Sequence, residues 1–149
     1  MSCISDRKFE HIEICLKEDV EMHRNTTGFE DVWLVHRCLP EMDVDEIVLE
    51  TKFLGFKLKA PILISAMTGG HPRAKELNSS LAEVAEEMGI AMAVGSQRAA
   101  LLHENLIDTF AVVRKRAPTA YIIANIGAVQ LANRSNISDV RKIIEMIEA

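Results

Sequence analysis

Residues 61–70 read PILISAMTGG, a continuous apolar run that ends in serine, threonine and two glycines. Two similar runs follow, IAMAV at residues 90–94 and AYIIAN at residues 120–125, so the starts of the runs lie about 30 residues apart. Continuous apolar runs, unlike alternating ones, are typical of strands buried on both faces of a parallel sheet. The pattern predicts three parallel strands, the first of them at residues 61–66.

Amphipathic helices are predicted after each of these runs. Apolar side chains there recur every three or four residues, the spacing of one helix face. Gly89 follows the first of these helices as a stop signal. The apolar positions are Ala74, Leu77, Leu81, Val84, Ala85 and Met88 in the first helix, Leu106, Phe110 and Val113 in the second, and Val140, Ile143, Ile144 and Ile147 in the third.

This βαβαβα order leaves two main options, a doubly wound open sheet and a (β/α)8 barrel. Eight units of about 30 residues would need roughly 240 residues, which is close to the usual size of a barrel. We therefore expect an α/β fold in which residues 61–149 form the N-terminal part of a TIM barrel, about three βα units. Residues 1–60 are expected to form an N-terminal extension, with a helix at residues 6–18 and a small hairpin from residues 47–49 and 53–56.

Composition excludes several classes of function. The chain has 17 Lys and Arg against 22 Asp and Glu, a net charge of −5, which argues against a nucleic-acid-binding face. The longest uncharged apolar stretch, residues 60–68, is far shorter than the roughly 20 residues of a membrane span. The three cysteines form no CxxC pair and the five histidines no HExxH motif, so a zinc site is not expected. We expect a cytoplasmic protein.

Each predicted strand is followed by polar side chains or glycines, at residues 65–70, 95–98 and 125–127. In parallel α/β folds the ligand lies beyond the carboxyl ends of the strands. Hydroxyls and a carboxamide suit a planar ligand rich in heteroatoms, and Arg98 suits a phosphate. Alternatively, these residues only turn and cap the loops.

Arg7, Lys8 and His11 form a second candidate group near the start of the chain. On a helix they are spaced so that they share one face, where they could hold a diphosphate. Taken alone, a pair such as Arg7 and Lys8 is more often a solvated charge pair.

At these residues the sequence resembles the type 2 isopentenyl-diphosphate isomerases, FMN-dependent barrel enzymes, and above all their archaeal members. The resemblance extends over essentially the whole chain. It rests on Arg7-Lys8 with His11, Leu39-Pro40-Glu41, Ala60-Pro61, Met67-Thr68-Gly69-Gly70, Gly95-Ser96-Gln97-Arg98 and Asn125-Ile126-Gly127-Ala128.

The resemblance implies two sets of contacts. It implies that FMN contacts Ser65, Ala66, Met67, Thr68, Ser96 and Asn125. It also implies that isopentenyl diphosphate contacts Arg7, Lys8, Ser96, Gln97 and Arg98, with His11 as a possible support. No catalytic or metal-binding residue is implied within this chain, because the family's magnesium-binding glutamate is expected just beyond Ala149.

The implied reaction is a 1,3-allylic proton shift between isopentenyl and dimethylallyl diphosphate. It needs reduced FMN, with NADPH as the reductant and Mg²⁺ sharing the charge of the diphosphate. The family suggests a homo-oligomer, a tetramer or larger. The 149-residue chain alone is expected to be inactive. Two alternatives remain: another FMN-dependent TIM-barrel oxidoreductase, and a non-catalytic half-barrel that acts as an interaction module.

Overall fold

The computed structural model describes residues 4–132 and 137–149, which form a mixed α/β fold. Short 3-10 turns lie at Phe29–Asp31, Val44–Glu46 and Glu104–Leu106. The strands are β1 (Thr51–Phe53), β2 (Phe56–Leu58), β3 (Leu63–Ile64), β4 (Ala91–Ala93) and β5 (Ile122–Ile123). The α-helices are α1 (Ile4–Lys17), α2 (Pro72–Met88), α3 (Arg98–Leu102), α4 (Asp108–Arg116), α5 (Ala128–Ala132) and α6 (Ile137–Ile147).

Strands β3, β4 and β5 form a parallel sheet in that order. Leu63 pairs with Ala91, and Met92 pairs with Ile122. The three parallel strands predicted from the apolar runs are confirmed, and so is the α/β class, although each strand is shorter than its run. Helix α5 was not predicted.

Burial of the strands follows their place in the sheet. The central strand β4 is buried along its whole length, as predicted. The prediction is wrong for the first run, because Ile62 is 57% and Leu63 38% exposed. Strand β3 pairs only with β4 among the described residues, so one side of it has no neighbouring strand to cover it.

Helix α2 begins and ends where the sequence indicates. The His71 side chain accepts a hydrogen bond from the Arg73 backbone N–H at 3.2 Å, and Pro72 occupies the first turn, where its missing N–H costs nothing. Gly89 ends the helix in the left-handed region, with φ of 62°. The predicted stop is confirmed.

The buried face of α2 differs from the predicted one. It is made of small residues and one amide, namely Ala74, Asn78, Ala82 and Ala85. Leu77, Val84 and Met88, which we had assigned to the core, are 43%, 47% and 57% exposed. Helix α2 packs mainly against α4, and small side chains at such a contact allow two helices to lie close together.

Helix α4 supplies the centre of the core. Phe110 and Val113 are fully buried, as predicted, and lie in one apolar cluster with Met92 of β4 and Ile122 of β5. Helix α6 packs against α4 and adds Ile147 to the cluster. Its Ile143 is also buried, as predicted, but Ile144 is 41% exposed, so the prediction is wrong for this member of the stripe.

Residues 51–58 form a hairpin, displaced along the chain from the predicted one. Strands β1 and β2 are antiparallel and are joined by Leu54 and Gly55, with φ of 48° and 88°, the conformation of a tight two-residue turn. This turn fixes the first strand at residues 51–53, so the prediction at residues 47–49 is wrong. The Phe56 ring stacks on Tyr121 at 4.2 Å, so the hairpin covers the amino end of β5.

The helix predicted at residues 6–18 is confirmed as α1. Asp6 in its first turn and Lys17 in its last complement the helix dipole. Among the described residues, no helix is both long enough and apolar enough to cross a bilayer.

Candidate functional site

The loops that follow the three parallel strands lie side by side and are joined through their backbones. Gly95, after β4, donates its N–H to the Thr68 carbonyl after β3, at 3.1 Å. Gln97 donates its N–H to the Asn125 carbonyl after β5, at 3.0 Å. The predicted FMN contacts therefore occupy one edge of the sheet.

Gly95 permits this close approach. A Cβ at this position would lie 2.7 Å from the Thr68 carbonyl oxygen, closer than real Cβ atoms approach. Thr68 is itself buried, whereas Ser65, Ala66 and Met67 are exposed. The loop after β3 thus exposes residues 65–67, whereas the next residue, Thr68, is buried and hydrogen-bonded to the loop after β4.

A buried polar network holds this loop in place. Asn78 of α2 donates to the Thr68 carbonyl at 3.3 Å and to the Thr109 carbonyl at 2.9 Å. The Thr109 hydroxyl accepts from the Gly70 N–H at 2.9 Å and donates to the Leu106 carbonyl at 2.7 Å. Sequence reasoning missed Asn78 and Thr109. The available signal was a polar residue four positions from Ala74 on a helix face that is otherwise apolar.

Helix α1 is docked on the first turn of α2. The rings of Phe9 and His71 are 5.1 Å apart, and the Arg73 guanidinium lies 5.5 Å from the centre of the Phe9 ring. Arg73 also forms a salt bridge with Glu13 at 3.0 Å. These contacts fix which face of α1 meets the strand ends.

Arg7, Lys8 and His11 of α1 meet Ser96 and Arg98, which follow β4, around one small pocket. This cation pocket has a volume of about 220 Å³ and is completed by Ala99 and Gln130. The structure thus brings together four of the five predicted substrate contacts, with His11 beside them. Gln130 was not predicted.

The electrostatics of the cation pocket favour an anion. Burial lowers the pKa of Lys8 below its usual 10.5, and the neighbouring Arg7 charge lowers it further. No salt bridge between described residues involves Arg7, Lys8 or Arg98. A bound phosphate would provide the missing negative charge, and arginine donors match its geometry.

A larger apolar cavity of about 590 Å³ lies between α1 and α2. It shares His11 with the cation pocket, and it includes Met67 and Thr68 from the loop after β3. Its other lining residues are Ile12, Cys15, Leu16, Arg73, Glu76, Leu77, Ser80 and Leu81. A polar pocket and an apolar cavity that share one residue suit a ligand with a charged and an apolar part.

Gln97 is the predicted substrate contact that the structure does not bring to the cation pocket. Its side chain is fully buried and points away from the side chains of Ser96 and Arg98 that line the pocket. Its carboxamide is hydrogen-bonded to the backbones of Asn125 and Ile143. Both ends of the carboxamide are thus bonded within the protein.

The donor set fits FMN better than it fits a metal ion. Thr68, Ser96 and Asn125 offer hydroxyl and amide groups from three adjacent strand ends, beside an apolar cavity that can take a ring. Within residues 4–132 and 137–149, no cluster of three His, Cys, Asp or Glu side chains could hold a metal ion.

The sequence profile of FMN-dependent dehydrogenases matches residues 2–132. The chain belongs to this family. Three archaeal relatives, each named isopentenyl-diphosphate delta-isomerase, are similar to it throughout. The protein of Methanosarcina barkeri is 48% identical over 149 residues, all of this chain and 40% of the relative. That of Archaeoglobus fulgidus is 51% identical, over 97% of this chain and 41% of its own length. That of Methanothrix thermoacetophila is 52% identical, over 96% and 39%.

The chain spans about two fifths of the length of these relatives. The similarity covers both the cation pocket and the strand ends, since it runs over nearly every residue of this chain.

Proposed function

We propose that the full-length protein containing this chain is an FMN-dependent isomerase that interconverts isopentenyl and dimethylallyl diphosphate. The observation that carries the proposal is the cation pocket, in which Arg7, Lys8 and Arg98 converge on the strand ends of a flavin-family fold. The names of the archaeal relatives support the same substrate. In this proposal strands β3, β4 and β5 are part of a TIM barrel, and residues 1–60 form its N-terminal extension.

The cations bind and orient the substrate. Arg7, Lys8 and Arg98 bind the diphosphate, the Ser96 hydroxyl adds a hydrogen bond, and His11 supports the pocket from α1. Because no bond of the diphosphate forms or breaks in the proton shift, this binding serves to hold the alkene in place. A bound diphosphate would also offset the repulsion between the charges of Arg7 and Lys8. It would thereby raise the pKa of Lys8 towards its usual value.

The strand ends hold the flavin. Ser65, Ala66, Met67, Thr68, Ser96 and Asn125 are the residues of this chain that would contact FMN. When bound in its reduced form, FMN supplies the proton-transferring group that the allylic shift requires. An unactivated alkene is a very weak base, so the chain's part is to hold it rigidly and exclude water. The apolar cavity beside Met67 suits that role.

Two further components complete the proposal. Mg²⁺ would share the charge of the diphosphate, held by residues outside this chain, because the described part offers no cluster for it. NADPH would reduce the flavin, and the protein would act as a homo-oligomer.

The family profile keeps a second candidate open, an FMN-dependent oxidoreductase. The decisive experiment incubates the purified full-length protein, anaerobically and with FMN, Mg²⁺ and NADPH, with isopentenyl diphosphate. We expect dimethylallyl diphosphate to form with no more than stoichiometric consumption of NADPH. Continuous NADPH oxidation coupled to a redox change in the substrate would support the oxidoreductase and contradict the isomerase.

The isolated 149-residue polypeptide is expected neither to bind FMN tightly nor to isomerise the substrate. It supplies only three strand ends to the flavin, and one side of β3 carries no hydrogen-bonded strand in the described sheet. Flavin fluorescence titration and the same activity assay test this directly. Turnover by a polypeptide of verified 16.6 kDa mass would refute it.

A further inference from the structure

We propose that Gln97 is a positioning residue, which fixes the backbone of Asn125 and the loop after β4 and does not itself contact the diphosphate. This inference rests on the proposed function, because it assigns Asn125 to FMN and Arg98 to the diphosphate. It departs from the role that the family resemblance implies for Gln97, a direct contact with the substrate.

The carboxamide of Gln97 has its hydrogen-bonding groups engaged inside the protein. Its Oε1 accepts from the Asn125 backbone N–H at 3.0 Å. Its Nε2 donates to the Ile143 carbonyl at 2.8 Å and lies 3.5 Å from the Met146 sulfur. The side chain is 0% exposed, so a diphosphate could reach it only if these bonds broke.

Gln97 holds both backbone polar groups of Asn125. Its side-chain oxygen takes the Asn125 N–H, and its own backbone N–H donates to the Asn125 carbonyl at 3.0 Å. Two bonds to one residue fix its orientation as well as its position. The Asn125 side chain is thereby presented from a backbone that cannot shift independently of the loop after β4.

The backbone hydrogen bonds of Gln97 also set the direction in which the side chains of its two neighbours point. Ser96 and Arg98 flank it and line the cation pocket, whereas the Gln97 side chain points into the core towards α6. The Gln97 carbonyl also accepts from the N–H groups of Ala100 and Leu101 and so starts helix α3, in which Arg98 is the first residue. Gln97, which points inward between two residues that point outward, thus links the proposed FMN contact Asn125 with the proposed diphosphate contacts Ser96 and Arg98.

The two roles predict different kinetics. A direct contact would act on substrate binding, so its loss would raise the KM for isopentenyl diphosphate and leave FMN affinity unchanged. If Gln97 instead positions Asn125, its loss would first weaken FMN binding. A merely structural role would lower stability without a specific effect on either ligand.

The experiment replaces Gln97 by methionine, which has a similar shape but lacks the amide, in the full-length protein. We expect FMN to bind about tenfold more weakly, as measured by flavin fluorescence, since one buried hydrogen bond is worth about that factor. The absorption spectrum of bound FMN should shift. The variant keeps the backbone hydrogen bonds of residue 97 that direct Ser96 and Arg98, so the KM for isopentenyl diphosphate at saturating FMN should change less than twofold. Gln97→Glu keeps the acceptor for the Asn125 N–H, so we expect its FMN affinity to lie between those of Gln97→Met and the wild type.

Val113→Ala is the matched control, because Val113 is fully buried in the core and lies outside the cation pocket and the apolar cavity. It should lower the melting temperature and leave FMN affinity unchanged. Three results would overturn the inference: a raised KM with unchanged FMN affinity, equal weakening of FMN binding in Val113→Ala, or failure of both Gln97 variants to fold. If the wild-type protein bound no FMN, the proposed function itself would fall, and this assignment with it.

Discussion

Replacing Arg98 by alanine is expected to raise the KM for isopentenyl diphosphate about a hundredfold in the full-length protein, with a much smaller change in kcat. Removing one partner of a close charge pair costs about 2–5 kcal/mol, and a hundredfold corresponds to about 2.7 kcal/mol. The effect falls on KM because the diphosphate keeps its charge throughout the reaction, so Arg98 binds ground state and transition state alike.

Stability should be unaffected by this change. The Arg98 side chain is exposed and forms no salt bridge with any described residue, and such surface substitutions usually change stability by less than about 0.5 kcal/mol. Arg98→Lys keeps the charge but loses the planar fork, so we expect an intermediate KM. Arg116→Ala is the control. Arg116 of α4 forms a salt bridge with Glu83 of α2 at 3.1 Å, and neither residue lines the cation pocket. An unchanged KM in Arg98→Ala would remove the diphosphate from this pocket.

Gly69→Ala is expected to destabilise the full-length protein by about 3 kcal/mol, the upper part of the range for overpacking a core. A Cβ at Gly69 would overlap the ring of Phe110, which is 0% exposed and packs within the core cluster. The added methyl must therefore displace either the ring or the loop after β3. The next residue, Gly70, donates its N–H to Thr109 at 2.9 Å, so displacement of the loop would also break that bond.

Urea unfolding of the wild type and of four variants measures this effect. Phe110→Leu removes Cε1 and Cζ, the two ring atoms nearest the new methyl, so the double variant Gly69→Ala/Phe110→Leu should be less destabilised than the sum of the single changes. Gly28→Ala is the control for backbone strain, because Gly28 has φ of 78° but nothing within 4 Å of an added Cβ. It should cost only about 1 kcal/mol. Additive effects of the two changes at residues 69 and 110 would refute the steric argument.

The periodic features of this chain were accessible from sequence. Continuous apolar runs predicted three parallel strands, and stripes such as that of Phe110 and Val113 predicted the buried face of α4. Gly89 predicted the end of α2 because few other residues adopt a left-handed conformation there. These signals are local, since each depends on the spacing of residues within one element.

Whether a given apolar residue is buried was harder to predict from the sequence, because burial depends on which other element covers the residue. Leu77 and Met88 have the right spacing for a core face, yet the buried face of α2 consists of Ala74, Asn78, Ala82 and Ala85. Ile62 belongs to an apolar run but lies at the edge of the described sheet. The hairpin was displaced for a related reason, since the turn at Leu54 and Gly55 outweighed the apolar residues at 47–49.

The sequence by itself determined which residue types stand at the carboxyl ends of the strands, and that Arg7, Lys8 and His11 share a helix face. Only the tertiary structure decided that this face meets Ser96 and Arg98, because α1 is fixed by contacts of Phe9 and Glu13 with residues 60 or more positions away. It also decided that Gln97, between two pocket residues, points into the core. Such choices depend on long-range packing and on the need to satisfy buried polar groups, which spacing along the chain does not record.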